Sequence, residues 1–433
     1  MATYVKQAQP TQADADKAAM VKSVVTDVIA DVRERGDEAV REYSEKFDKW
    51  SPESFRLSPK QIDEIIATVP QQAIDDIKAV QDRVRGFARR QLDSLQDFEA
   101  ETEPGVLLGQ KNIPVQAVGA YVPGGRYPLV ASAHMTVATA KVAGVKRVTA
   151  CTPPIRGEIP AATIAALHLA GADEIFLLGG TQAVAAMAVG TETIGKVDLI
   201  AGPGNAFVAE AKRQLFGEVG IDLFAGPTEV LIIADEAADP FIVAVDLLSQ
   251  AEHGPDSPAV LITTSATLAD EVAAHIEQLL PGMPTRDFAE PAWRDHGEII
   301  VVDDLDEAYA LADEYAYEHV QILTVEPRRG LETMTNYGAL FLGEGTAVSY
   351  GDKVIGTNHT LPTRKSARYT GGLWVGKFLK TVTYQEIRDP NASAELGRLL
   401  GRAARVESFE GHARSGDVRA AKYDGDSLSW DPR

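Results

Sequence analysis

The sequence predicts an α/β protein: two successive Rossmann-like, doubly wound parallel-sheet domains with helical N- and C-terminal extensions. Two observations carry this. From about Val115 onward, short β-rich runs ending in Gly or Pro alternate with Ala-rich amphipathic stretches, the rhythm of βαβ units and a mostly parallel sheet. That rhythm stops at FAGPTE and starts again at VLIIAD, which gives two halves rather than one long sheet.

Residues 1–110 read as a helical segment packing on the core. Ala, Val and Ile recur at three- and four-residue spacing through VKSVVTDVIADVRERGDEAVREYSEKF and PKQIDEIIATVPQQAIDDIKAVQDRVRGFARRQL, as on one face of a helix. Residues 111–235 form the first sheet domain, from VQAVGAYVPGG through KRVTACTPP and EIFLLGG to VDLIAGPGN, each run followed by a helical stretch. Residues 236–383 repeat the pattern with AVLITT, EIIVVD and QILTV. Residues 384–433 are a charged helical tail with a polar end, KYDGDSLSWDPR.

The 433 residues are 45% hydrophobic, enough for more than one core. A formal net charge of −21 repels polyphosphates and anionic membranes, so neither nucleic acid nor a membrane is expected as a partner. No apolar run reaches the roughly 18 residues of a membrane span, and the start lacks a secretory signal, so a cytoplasmic address is expected. The single cysteine, Cys151, has no partner for a disulfide or thiolate cage, which leaves nitrogen and oxygen as metal ligands.

Four motifs could carry chemistry. Gly-rich turns close successive strands at Tyr121–Gly125, Gly179–Gln182, Gly202–Asn205 and Gly226–Thr228. Glycine lets a ligand approach the backbone, and the helix that follows offers free N–H groups to a pyrophosphate. Gln250 and His253 lie one helical turn apart, and Asp352 and His412 are candidate distant partners for an oxygen–nitrogen zinc site. Glu318 and His319 precede an apolar strand, where an imidazole could act as general base and a carboxylate could activate water. Arg364, Lys365 and Arg368 form a basic cluster in an acidic chain, suited to an oxyanion. Each motif alone also admits a plainer reading: a tight turn, a structural helical histidine, a surface histidine, a solvated loop.

Taken together, GAYVPGG, AKVAGVKRV, GPGNAFVAEAKRQLFG, DLLSQAEHGPDS, EHVQI and GTNHTLPT resemble the histidinol dehydrogenase family from about residue 20 to 415. The resemblance implies a homodimer that oxidises an alcohol through the aldehyde to the acid with two NAD, with one zinc per subunit. It implies Gln250, His253, Asp352 and His412 as zinc ligands, Glu318 and His319 as the catalytic pair, and Tyr121, Gln182 and Asn205 as NAD contacts. Thr228 stands where the family has a substrate-contacting Ser. Glu407 matches a tail Glu that reaches the partner subunit.

This chain departs from the family pattern around the substrate. Arg364-Lys365 replace small residues, His134 follows Ala131-Ser132 where the family has Ser-Ser and an apolar residue, and Tyr317 replaces a Pro. Added positive charge is unfavourable beside cationic histidinol. The pattern looks like the sulfopropanediol dehydrogenase branch, with Arg126, His134, Arg364, Lys365 and Arg368 as candidate contacts to the sulfonate of a small anionic alcohol. L-histidinol oxidation and a zinc-dependent hydrolase are the alternatives.

Overall fold

The computed structural model describes residues 2–9, 14–124, 128–224 and 226–429. In chain order its strands are β1 (Thr3–Lys6), β2 (Phe98–Glu103), β3 (Val106–Pro114), β4 (Ala117–Tyr121), β5 (Arg147–Thr152), β6 (Glu174–Leu177), β7 (Leu199–Ala201), β8 (Gly220–Ile221), β9 (Val230–Ala234), β10 (Ala259–Thr263), β11 (Gly297–Val301), β12 (His319–Leu323), β13 (Ala339–Leu342) and β14 (Leu379–Ile387). The chain divides into two compact units, Met1–Leu92 with Val115–Phe378, and Asp93–Pro114 with Leu379–Arg433.

The first unit holds two parallel sheets wound alike. One runs β6-β5-β4-β7-β8 and the other β1-β11-β10-β9-β12-β13. Counting β4 to β8 as strands one to five, and β9 to β13 likewise, both orders are 3-2-1-4-5, with β1 added antiparallel to β11. Strands such as VLIIA and AVLIT are buried at every residue. A sheet covered by helices on both faces requires such continuous apolar runs. The helix Gly180–Val189 is almost wholly small and apolar, so it sits in the first core between the helices Asp14–Arg35 and Ala206–Leu215.

The helical reading of residues 1–110 needs correction at both ends. TYVK forms β1, and residues 98–114 form the hairpin β2–β3, which turns at Gly105 with φ +78°. The tail likewise begins in a strand: β14 pairs antiparallel with β3 over its whole length, and the helices Pro390–Val406 and Glu410–Asp424 follow. β2 is exposed at every residue. With no buried face it shows no apolar alternation, the signal by which a strand is read from sequence.

Crossings in the first sheet are held tightly. Gly202, which follows β7, has φ +122°, and a Cβ there would collide with the Tyr121 carbonyl. Its N–H donates to Asp222 Oδ2 (2.7 Å), its carbonyl accepts from Lys212 Nζ (3.0 Å), and Lys212 and Asp222 form a buried ion pair. Among the described residues no helix is long and apolar enough to cross a membrane.

Removing one partner leaves the other charge buried and unpaired, which costs about 3–5 kcal/mol. Lys212→Met is therefore expected to lose stability on that scale in urea unfolding; an unchanged midpoint would show that the pair contributes nothing.

Candidate active site

Glu318 and His319 occupy the amino end of β12, beside the amino end of β9. His319 is in register with Val230, so the main chain of Glu229 lies against both residues. The Glu229 N–H donates to Glu318 Oε2 at 3.1 Å, and the Glu229 carbonyl accepts from His319 Nδ1 at 3.0 Å. A carbonyl can only accept, so Nδ1 carries the proton and the neutral ring presents its lone pair at Nε2. Nε2 faces Asp352 Oδ1 at 3.4 Å. Glu318, His319 and Asp352 are all buried.

Burial and neighbouring charge pull these groups apart. Burial pushes the Glu318 carboxyl up to about 8. Burial opposes protonation of His319, but the Glu318 and Asp352 carboxylates more than offset it and raise the imidazole to about 9. Burial would also raise Asp352, yet His319 beside it holds it well below the usual carboxylate range. A carboxyl and an imidazole so perturbed at one buried spot are candidate acid–base groups.

Three of the four expected metal ligands meet at Asp352. Gln250 Nε2 lies 3.3 Å and His253 Nε2 3.9 Å from Asp352 Oδ2. Gln250 is fully buried, and its Oε1 has no hydrogen-bond partner among the described residues. An orphaned buried acceptor is costly. A divalent cation held by Gln250 Oε1, His253 and Asp352 satisfies it, and this oxygen–nitrogen donor set suits zinc. Among the described residues no three His, Cys, Asp or Glu side chains form a metal cage by themselves. His412 lies in the second unit on the helix Glu410–Asp424, packed edge-on to Phe409. Glu407, in the same unit, ends the helix Pro390–Val406 and is exposed.

The expected dinucleotide contacts stand at the carboxyl edge of the first sheet, where strand order reverses between β4 and β7 and open α/β sheets bind ligands. Tyr121 ends β4, and its hydroxyl accepts from Gly180 N–H at 3.1 Å. Gln182 is buried, with Nε2 donating to Asp48 Oδ2 at 3.0 Å and Oε1 without a partner among the described residues. That orphaned acceptor and the glycine-lined turns fit a polar ligand such as a dinucleotide. Asn205 has a structural task as well: it caps the helix Ala206–Leu215, its Oδ1 accepting from the N–H groups of Phe207 and Val208. The loop 222–229 leads from β8 at this edge to β9 at the catalytic edge. Eight residues reach at most roughly 28 Å, so the two edges lie within one short loop of each other.

The five expected anion contacts do not act alike. Arg126 lies outside the described residues. His134 is buried in the π-helical turn His134–Ala138, with Nδ1 3.1 Å from Gln81 Nε2, and burial lowers it to about 4. It is therefore neutral at pH 7 and offers no charge. Arg368 turns to the Glu314 carbonyl (3.0 Å) and Lys365 is exposed. Arg364 is placed best: its side chain lies over Gly226, and its N–H donates to Glu229 Oε1 at 2.9 Å. Thr228, half-buried, is next to Glu229.

Three residues escape the motif reading. Glu229 is hidden as the last letter of the Gly-Pro-Thr-Glu turn, although a carboxylate ahead of an apolar strand was a signal. His359, in GTNHT, donates from Nδ1 to the Asp352 carbonyl at 2.8 Å. Asp48 ends the helix Asp37–Asp48, where nothing in the sequence links it to Gln182.

Two sheets wound alike around a buried carboxylate–imidazole cluster are an arrangement an α/β oxidoreductase can use. The histidinol dehydrogenase family pattern matches residues 11–420, and the chain belongs to that family, whose reaction is a four-electron oxidation of an alcohol to an acid. It is 61% identical to a histidinol dehydrogenase homolog of Shouchella clausii over 98% of this chain and 100% of the relative. It is 48% identical to the sulfopropanediol 3-dehydrogenase of Ruegeria pomeroyi over 97% of this chain and 96% of that one. The crystal structure of histidinol dehydrogenase from Elizabethkingia anophelis superposes with a TM-score of 0.90 at 34% identity, covering 96% of this chain and 95% of that one.

His134 gives a pH test. Its folded pKa lies below its ordinary 6.5, so the unfolded chain binds the extra proton first, and this contribution is lost as pH falls from about 6.5 towards 4. Urea unfolding of His134→Gln is expected to show a shallower loss of stability over that window than the parent chain; parallel curves would rule the linkage out.

Proposed function

We propose that this chain is an NAD-dependent, zinc-containing dehydrogenase that converts 2,3-dihydroxypropane-1-sulfonate to 3-sulfolactate. The observation that carries the chemistry is the buried meeting of Glu318, His319 and Asp352 beside the orphaned Gln250 oxygen. The basic turn at Arg364, tied to Glu229 at the same edge, supports an anionic rather than a cationic substrate. Likeness to the Ruegeria enzyme points the same way.

The balance is one alcohol, one water and two NAD giving one carboxylate, two NADH and three protons. When bound, NAD would accept two electrons in each oxidation, and zinc, for which Gln250, His253 and Asp352 would be ligands with His412 supplied by the tail of the second subunit, would polarise the substrate oxygen. In its neutral form, with the Nδ1 proton held by the Glu229 carbonyl, His319 is the base. His319 Nε2 then takes the hydroxyl proton as the carbinol C–H bond gives up its electron pair. Glu318 takes a proton from the water that adds to the aldehyde carbon. After releasing its first proton, His319 takes another from the hydrate as the second oxidation proceeds. Burial of the pair keeps the aldehyde from bulk water. His412 and Glu407 are assigned to the partner's active site in a homodimer.

Steady-state assays of the sulfonated diol and L-histidinol, read as NADH formation with and without a chelator, test this reading. Chelator-sensitive turnover of the sulfonate, with little of histidinol, is expected. Preference for histidinol overturns the substrate, and chelator-sensitive hydrolysis without NAD overturns the class. His253→Ala and Asp352→Ala should each bring retained zinc, measured by elemental analysis, well below one per chain while circular dichroism stays unchanged. Full zinc retention by both would remove them from the site.

A further inference from the structure

We propose that the Glu229 carboxylate is a positioning residue that holds the Arg364 turn, and through it the substrate anion, in register with the Glu318–His319 pair. The inference rests on the reading of Arg364 as an anion contact. Glu229 is joined to both parts. Its main chain holds Glu318 Oε2 and His319 Nδ1, and its side-chain Oε1 accepts from the Arg364 N–H at 2.9 Å.

The turn needs such a tie. Arg364 and Lys365 stand consecutively in the left-handed region, φ 53° and 63°, where side chains other than Gly are disfavoured and persist only when surroundings over-determine them. Two bonds across the gap supply this: Arg364 N–H to Glu229 Oε1, and Gly226 N–H to the Thr363 hydroxyl. Both come from the loop that ends at β9, so that loop fixes the turn and the catalytic pair together. Glu229 is 6% exposed, and its Oε2 has no hydrogen-bond partner among the described residues. A buried carboxylate kept with half its acceptors unused is poorly explained by stability alone.

The division of labour within Glu229 makes the idea testable. Its main-chain bonds survive any substitution, so Glu229→Ala keeps those contacts to Glu318 and His319 and releases the turn, while also removing a charge that pushes the Glu318 carboxyl up. With 2,3-dihydroxypropane-1-sulfonate as the varied substrate, Glu229→Ala is expected to raise KM about tenfold with kcat changed less than about twofold, a loss of uniform binding. KM for NAD should stay put. Glu229→Gln, whose amide oxygen can still accept from the Arg364 N–H, should restore most of the affinity. In an Arg364→Ala background, which keeps that N–H but removes the guanidinium, Glu229→Ala should add no further KM effect.

The outcomes separate the two ideas. Arg364→Ala with a parental KM would overturn Arg364 as an anion contact. A raised KM in Arg364→Ala, with Glu229→Ala either harmless or lowering kcat at unchanged KM, would overturn the positioning role alone. Additive KM effects in the double variant would also overturn it. If Glu229→Ala does not fold, failure of Glu229→Gln to retain the parental KM serves as the refutation.

Discussion

Strands β9 and β12 run side by side, and their pairing sets the main chain of Glu229 against Glu318 and His319. The rest of the candidate site depends on this contact. An imidazole and two carboxyl groups can leave water only if other groups satisfy them, and here the N–H and carbonyl of one residue, Glu229, do so for two of the three. That carbonyl selects the tautomer of His319, so sheet register and proton chemistry are one constraint. A slip of one residue in β12 would turn these side chains to the opposite face.

The two sheets divide the labour by edge. The first offers the carboxyl ends of its strands, with glycine turns and the buried Tyr121 and Gln182; the second offers its amino ends, with Glu318 and His319. The identical 3-2-1-4-5 winding does not dictate the same use. At the other edge of the second sheet, Asp235 spends its carboxylate on the N–H groups of Ala237 and Val325.

Much of this was legible before any coordinates. Alternating apolar runs and Ala-rich stretches gave both sheets, because buried parallel strands and their covering helices leave strong local signals. Gln250 and His253 shared a helical turn, and Glu318-His319 stood before a strand. The links between segments were not legible. Asp352 joins Gln250 and His319 only through folding, and Asp48 reaches Gln182 from a helix 134 residues away. The hairpin β2–β3 was missed because β2 is exposed at every residue and leaves no apolar alternation. His134, one of the basic or polar candidates, is held neutral by a burial that no spacing reveals.

The small antiparallel sheet takes two strands from residues 98–114 and its third from residues 379–387. During synthesis the hairpin emerges early and then waits, its β3 edge unpaired, while the entire two-sheet core is made. Open strand edges invite pairing with other chains, and closing so long a loop is slow. Any truncation before Leu379 would leave that edge permanently open. A fragment containing both large sheets would then carry a hazard of sticking to its own copies that β14 removes.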